Sequence, residues 1–432
     1  MSAAPVAPLR VALTALGCKV NFAEMADLAG RLAAAGLEVV PEDEPADVRV
    51  LNSCTVTLQA DATTRQRLAR LRRDDPGCHL VLTGCSVDGN PDRYLGTAPD
   101  GGPRQVAGVD AVFSNAQKSS IADYLLALAA PYTGAPPASP PLRSRAFVKV
   151  QDGCDHRCTY CSVWRARGKA GSLAVDEVRR RVDAALATGH REVVLCGVDL
   201  GWYGRDHDTS LAALLRRLLD GIGTARLRLS SVNANDVDAA LVEVAAHPRL
   251  CPHWHMPLQS GSDRVLRAMH RGYRRTQYLR VAGELRDRRP ETEFTTDVMV
   301  GFPGEDATDH AATLQLMDEV GFAAAHVFRY SPRPGTPASA LDGPVADAAA
   351  RQRSREVRRL AARSGAAARQ RAVGRSCEVV WERVEGGCAR GLSDTYQTVV
   401  TGAVRGLRPG GLNLVRIVGV EADTLRGVPA TA

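Results

Sequence analysis

Apolar positions in the first third of the chain fall into short runs separated by longer helical patterns. Runs at 11–16, 48–51 and 79–83 read as strands, and each leads directly into a cysteine, Cys18, Cys54 and Cys85. Strands alternating with helices predict an α/β domain with a parallel sheet over residues 9–130. In such a sheet the three cysteines share the carboxyl edge, where open α/β sheets receive their ligands.

Pro131, Gly134, Pro136, Pro137, Pro140 and Pro141 then mark a linker. Beyond it, six strand candidates at 147–150, 192–196, 226–230, 253–258, 293–300 and 324–330 alternate with helical patterns. This predicts a partial (βα)6 barrel over 140–370, with its active site at the carboxyl ends of the strands. The last region, 371–432, carries apolar runs at 377–381, 397–401 and 413–418 between Gly-rich turns, and reads as a small β-barrel suited to be an appended binding module.

Composition narrows the class. A chain of 432 residues exceeds what one core usually supports, and 45% apolar with 24% charged residues is ordinary globular usage. No apolar run is long enough to span a bilayer, so no membrane partner is expected. The first ten residues lack the charged start and apolar core of a secretory signal, which predicts a cytoplasmic location. In that compartment eleven cysteines indicate metal ligation or catalysis, not disulfides.

The net charge of +7 is almost wholly arginine, a bias that high-GC coding also produces, so only its distribution informs. Nine arginines against one acid, Glu356, occupy residues 351–375, a helix-favouring stretch leading to the terminal module. The expectation is a helix that neutralises phosphates, with Trp381, Arg390 and Tyr396 placed to stack or hydrogen-bond on a folded RNA loop. A solvated helix packed across the barrel is the competing reading.

Cys154, Cys158 and Cys161 form a C-x3-C-x2-C triplet just past the first barrel strand. Three thiolates bind three irons of a four-iron four-sulfur cubane and leave the fourth iron to a chelating substrate. In radical enzymes that substrate is S-adenosylmethionine. A zinc site is the alternative, but zinc motifs usually pair two C-x2-C units or add histidines. For Cys18, Cys54 and Cys85 the alternative is simple apolar packing. Gly17 and Gly84, each preceding a cysteine, instead let the backbone approach a second cluster closely. Cys78, Cys196, Cys251, Cys377 and Cys388 fit no such pattern.

The chain resembles the radical S-adenosylmethionine methylthiotransferases over nearly its whole length. The likeness rests on Leu16-Gly-Cys-Lys-Val-Asn21, Asn52-Ser-Cys-Thr-Val56, Thr83-Gly-Cys85, the triplet loop, Pro257-Leu-Gln-Ser-Gly-Ser262 and Thr296-Asp-Val-Met-Val-Gly-Phe-Pro-Gly-Glu305. Residues 17–21, 54–57, 195–203 and 326–331 look most like the subgroup acting on threonylcarbamoyladenosine beside the tRNA anticodon.

The resemblance implies two 4Fe-4S clusters, a radical one on Cys154, Cys158 and Cys161 and an auxiliary, sulfur-carrying one on Cys18, Cys54 and Cys85. It also implies S-adenosylmethionine as both methyl donor and radical source, bound among Tyr160, Gly197, Asp199, Ser231, Gln259, Ser260 and Asp297. The partners would be the tRNA anticodon loop, read by a terminal module of the type called TRAM, and a reducing electron donor such as flavodoxin or ferredoxin. Two departures stand out. Trp164-Arg-Ala-Arg-Gly168 followed by Ser172-Leu173 replaces a Pro-Tyr-Ala-Arg-Gly run closing in Ser-Arg, and Asn233 stands where a Glu is usual. They keep two other readings open: sulfur insertion into a protein, peptide or small metabolite, and a non-catalytic RNA-binding iron-sulfur protein.

Overall fold

A computed structural model describes residues 8–55, 58–95, 108–129, 143–402 and 405–430. The chain divides into two compact units. The first comprises Met1–Leu142, Gly153–Asp155 and Cys161–Lys169, the second Arg143–Asp152, His156–Tyr160 and Ala170–Ala432.

In the first unit, β1 (Arg10–Ala15), β2 (Glu38–Val40), β3 (Val48–Ser53), β4 (His79–Gly84) and β5 (Ala111–Phe113) form a wholly parallel sheet in the order β2-β1-β3-β4-β5. Alternation sends side chains to both faces, and both are covered. Val11, Val50 and Val81 pack on Met25, Leu28 and Leu32 of the helix Lys19–Ala34, with Ile121 and Leu125 of the helix Ile121–Leu128. Leu51, Leu80 and Leu82 face the other way, onto Leu68, Val87 and Tyr94. Strands β2 and β5, only three residues each, were not marked by the sequence pattern.

The second unit contains β6 (Ala146–Lys149), a short antiparallel pair β7 (Gln151–Asp152) and β8 (Gly171–Ser172), then β9 (Glu192–Cys196), β10 (Arg226–Leu229), β11 (His253–His255), β12 (Glu293–Val300) and β13 (Ala324–Arg329). Parallel ladders link β6-β9-β10 and β11-β12-β13, and parallel bridges Leu227 to Leu250 and Ser231 to His255 join the two sets into one curved six-stranded sheet. Val193, Leu195, Leu227 and Leu229 enter the main core with the helices, so the alternate positions Glu192, Arg226 and Arg228 point the other way. The architecture is the expected partial (βα)6 barrel.

The helix Asp347–Ala372 leads to β14 (Ser376–Glu385), β15 (Cys388–Ser393), β16 (Thr398–Gly402), β17 (Leu412–Glu421) and β18 (Thr424–Pro429), closed into a barrel. Strands β15 and β18 are additions to the three runs visible in the sequence. Among the described residues no helix is long and apolar enough to cross a membrane.

Candidate active site

Parallel β1, β3 and β4 end side by side and deliver Cys18, Cys54 and Cys85 to one edge of the first unit. Gly17 has φ +86°, and a Cβ there would stand 2.4 Å from the Cys54 sulfur, so the strand-to-helix turn passes against that thiol only because position 17 is glycine. Gly84, at φ +103°, presses in the same way on Asn52 and Ser53 and starts the turn at Cys85. Cys54 and Cys85 are buried while Cys18 reaches the surface, and Cys18 lies within electrostatic range of Cys85 and Arg167.

Polar groups surround this set. Arg167 Nε donates to the Cys85 sulfur at 3.2 Å, and its Nη atoms donate to Glu24 Oε1 at 2.9 Å and Asn21 Oδ1 at 2.7 Å. Asn115 Nδ2 lies 3.9 Å from the same sulfur and donates to the Ala166 carbonyl at 2.8 Å. Soft thiolates, glycine clearance and N–H donors to sulfur are what an iron-sulfur cluster needs.

Of the triplet, Cys154 and Cys161 belong to the first unit and Cys158 to the second. In the first, Gly153 has φ +72°, and a Cβ there would meet the Lys169 carbonyl oxygen at 1.9 Å; the Val163 amide points at the Cys161 sulfur at 3.4 Å. In the second, Arg271 Nη1 donates to the Cys158 sulfur at 3.4 Å and Nη2 to Asn233 Oδ1 at 2.5 Å, with its guanidinium 5.0 Å from the Tyr273 ring centroid. Thiolates with N–H donors again fit a cluster.

The other predicted contacts lie where the barrel strands end. Asp199 is buried, 2.9 Å from His156 Nε2, and accepts from Asn233 Nδ2 at 3.0 Å. His156 also faces Asp236 at 3.4 Å; the carboxylates of Asp199 and then Asp236 beside its ring raise its pKa to about 10, so it is an imidazolium between two carboxylates. Among the described residues these three supply the only set of three His, Cys, Asp or Glu ligand atoms lying within 4.8 Å of one another. Thiolates on different irons of a cubane stand further apart than donors to one ion, so neither cysteine set belongs in that class.

Asp297 faces His255 at 3.4 Å; burial pushes its carboxyl up, but the hydrogen bond and charge of His255 outweigh this and hold it below the usual range. Gln259 is held at φ +62°, unusual for a side-chain-bearing residue, by backbone bonds to Asp297 and Met299 at 2.8 and 2.9 Å. Ser260 is buried and bonds Thr313 at 3.3 Å. Gly197 clears Gln151, whose Oε1 a Cβ would meet at 2.8 Å, Ser231 bridges to His255, and Tyr160 packs against Val265, Met269 and Phe302.

Sequence reasoning did not single out His156 or Arg271. His156 lies between Cys154 and Cys158 of the triplet and carried that signal by position; Arg271 carried none.

The RNA expectation needs correction at the terminal barrel. Trp381 is fully buried and donates its indole N–H to Asn413 at 2.9 Å, and the Tyr396 ring is stacked on His253 at 4.6 Å with Arg228 over it. Both are packing groups, because the barrel needs large side chains inside and against its neighbour. The basic helix spends part of its charge within the chain: Arg353 pairs with Glu305, Arg363 with Asp318, Arg369 with Asp423 and Arg371 with Glu293. Arg390 is exposed, as expected, directly opposite exposed Arg383 across the β14–β15 ladder.

A parallel barrel with a C-x3-C-x2-C loop after its first strand defines a radical S-adenosylmethionine enzyme, and residues 148–317 match the radical SAM superfamily. Residues 10–101 match the uncharacterized protein family UPF0004. The threonylcarbamoyladenosine tRNA methylthiotransferase MtaB of Thermotoga maritima is 34% identical over 97% of this chain and 99% of its own. The tRNA-2-methylthio-N(6)-dimethylallyladenosine synthase of a Parafrankia species is 35% identical over 86% of this chain and 77% of its own. The chain belongs to the radical S-adenosylmethionine methylthiotransferase family. Membership brings with it S-adenosylmethionine and a 4Fe-4S cluster. In fold the chain is also similar to the radical methyltransferase TsrM of Kitasatospora setae, with TM-score 0.54, 13% identity and coverage of 76% of this chain and 75% of that one.

Proposed function

We propose that the enzyme adds a methylthio group to C2 of N6-threonylcarbamoyladenosine beside the tRNA anticodon, using a radical cluster on Cys154, Cys158 and Cys161 and an auxiliary cluster on Cys18, Cys54 and Cys85. The observation that carries it is the delivery of the second cysteine set to one strand edge, with Gly17 cleared against the Cys54 sulfur. A second thiolate set at a strand edge offers a place for the cluster from which sulfur would be inserted. The names of the MtaB relatives support threonylcarbamoyladenosine as the nucleoside.

When bound, the clusters and S-adenosylmethionine supply a 5'-deoxyadenosyl radical and the methylthio group; a donor such as flavodoxin or ferredoxin supplies electrons. The chain's own part is positioning. Tyr160, Gly197, Asp199, Ser231, Gln259, Ser260 and Asp297 are the candidate contacts to S-adenosylmethionine, and the regions 9–130, 140–370 and 371–432 divide auxiliary cluster, radical chemistry and tRNA binding between them. The exposed arginines of the terminal barrel, Arg383 and Arg390, are its candidate phosphate contacts.

Mass spectrometry of tRNA nucleosides tests the assignment. Deleting the gene should abolish the 2-methylthio form of threonylcarbamoyladenosine, and supplying the gene should restore it. Loss of the methylthio dimethylallyl nucleoside alone would transfer the enzyme to the other named activity of its relatives, and unchanged tRNA would overturn the reading.

A further inference from the structure

Arg167 is six residues beyond Cys161, yet its side chain is spent on the other cysteine set. It is 1% exposed, and each edge of its fork is committed: Nη1 to Glu24 Oε1, Nη2 to Asn21 Oδ1, Nε to the Cys85 sulfur at 3.2 Å. Glu24 is held in turn by Lys118 at 2.5 Å and Asn52 at 3.0 Å, both on Oε2. Asp88, the other carboxylate in electrostatic range of Arg167 and Lys118, accepts from the Asn115 amide at 2.9 Å. A guanidinium is a rigid planar fork. With both outer nitrogens locked, its Nε–H cannot turn away from sulfur.

We propose that Arg167 is a positioning residue that sets the reduction potential of the auxiliary cluster through its N–H bond to the Cys85 sulfur. The inference rests on the reading that Cys18, Cys54 and Cys85 hold a cluster. Adding one electron to such a cluster increases the negative charge shared by its sulfurs. An N–H donor and a fixed cation at one of those sulfurs favour the reduced state and so raise the potential. Glu24 acts in the opposite sense, because its carboxylate is the counter-charge of the same guanidinium.

The test uses the full chain carrying Cys154→Ala, Cys158→Ala and Cys161→Ala, reconstituted anaerobically, so that bound iron reports the second set alone. Stepwise reduction with dithionite is followed by electron paramagnetic resonance. In this background Arg167→Gln should disfavour the reduced cluster by at least tenfold, about 59 mV for a one-electron couple. Arg167→Lys should give a smaller downward shift, and Glu24→Gln an upward one. Opposite signs would support the inference, since a purely structural role lowers iron content without opposed shifts.

About four irons per chain with an unmoved potential in Arg167→Gln and Glu24→Gln would overturn it and leave the cluster reading standing. No iron in the triple-cysteine background would overturn both. Should Arg167→Gln fail to hold iron, Glu24→Gln decides: an upward shift supports the proposal, an unchanged potential overturns it.

Discussion

Arg271 Nη2 lies 2.5 Å from Asn233 Oδ1, and that contact orients the amide so that Asn233 Nδ2 faces Asp199 at 3.0 Å. The asparagine is thus an adaptor between a half-buried cation and a buried carboxylate, at a position where the family resemblance leads one to expect a Glu.

Arg271→Met should remove the partner of Asn233 Oδ1 and cost about 1–3 kcal/mol, the usual penalty for a stranded acceptor. Coupling provides the sharper test. Adding Asn233→Leu removes the stranded group, so the double variant should lose less than the sum of the single losses by about 1 kcal/mol. Denaturant unfolding of the apo chain measures all three; strict additivity would show that the contact carries no energy.

Glu192 should be a stability residue with an acid signature. It is fully buried and accepts from Arg226 Nε and Arg228 Nε, each at 2.7 Å, while the same arginines donate to the carbonyls of Glu378, Leu392, Ser393 and Asp394 in the terminal barrel. Glu192→Gln leaves two buried guanidinium groups without their counter-charge and should cost about 3–5 kcal/mol. Burial opposes ionisation, but Arg228 and Arg226 outweigh it and hold the carboxyl below its ordinary 4.5. The stabilisation is therefore complete above about pH 4.5 and lost as pH falls further. Unfolding midpoints between pH 7 and pH 3 should fall more steeply for the wild type than for Glu192→Gln.

This triad also shows where the sequence stopped being legible. Arg-Leu-Arg-Leu over 226–229 reads as a strand with one solvated face, and only the terminal barrel, about 150 residues later in the chain, buries that face. The strands before Cys18, Cys54 and Cys85 were legible because their apolar runs are continuous and their parallel order dictates a shared edge. Strands β15 and β18, Cys-Ala-Arg-Gly-Leu-Ser and Thr-Leu-Arg-Gly-Val-Pro, were not, since Gly and Arg interrupt their alternation. Arg167 could be read as part of a motif, but its partners Glu24 and Asn21 lie 143 and 146 positions away, beyond any local pattern.

The terminal barrel should separate folding from RNA affinity. Trp381→Ala empties the barrel core and should cost about 3–5 kcal/mol. Arg383→Ala and Arg390→Ala remove like charges that sit directly opposite each other, so stability should be unchanged or slightly improved. If these arginines meet phosphates, each substitution should weaken tRNA binding and reduce the salt slope by about 1. Filter binding at several salt concentrations checks this, and an unaltered slope would remove the pair from the interface.

Gly17→Ala should act on iron before it acts on the fold. The position has φ +86°, and the added methyl carbon would sit 2.4 Å from the Cys54 sulfur, well inside contact distance. Gly17 is exposed and at the end of β1, so the sheet below it can keep its packing of Val11, Val50 and Val81. What must move is the turn or the Cys54 thiol, and either motion separates Cys54 from Cys18. Two clusters correspond to about eight irons per chain and one to about four. The variant should therefore reconstitute with about four irons, keep 5'-deoxyadenosine production from the triplet cluster, and lose methylthio transfer. Eight irons with full transfer would show that the close approach of Gly17 serves the turn alone, and that Cys54 tolerates displacement from its neighbours.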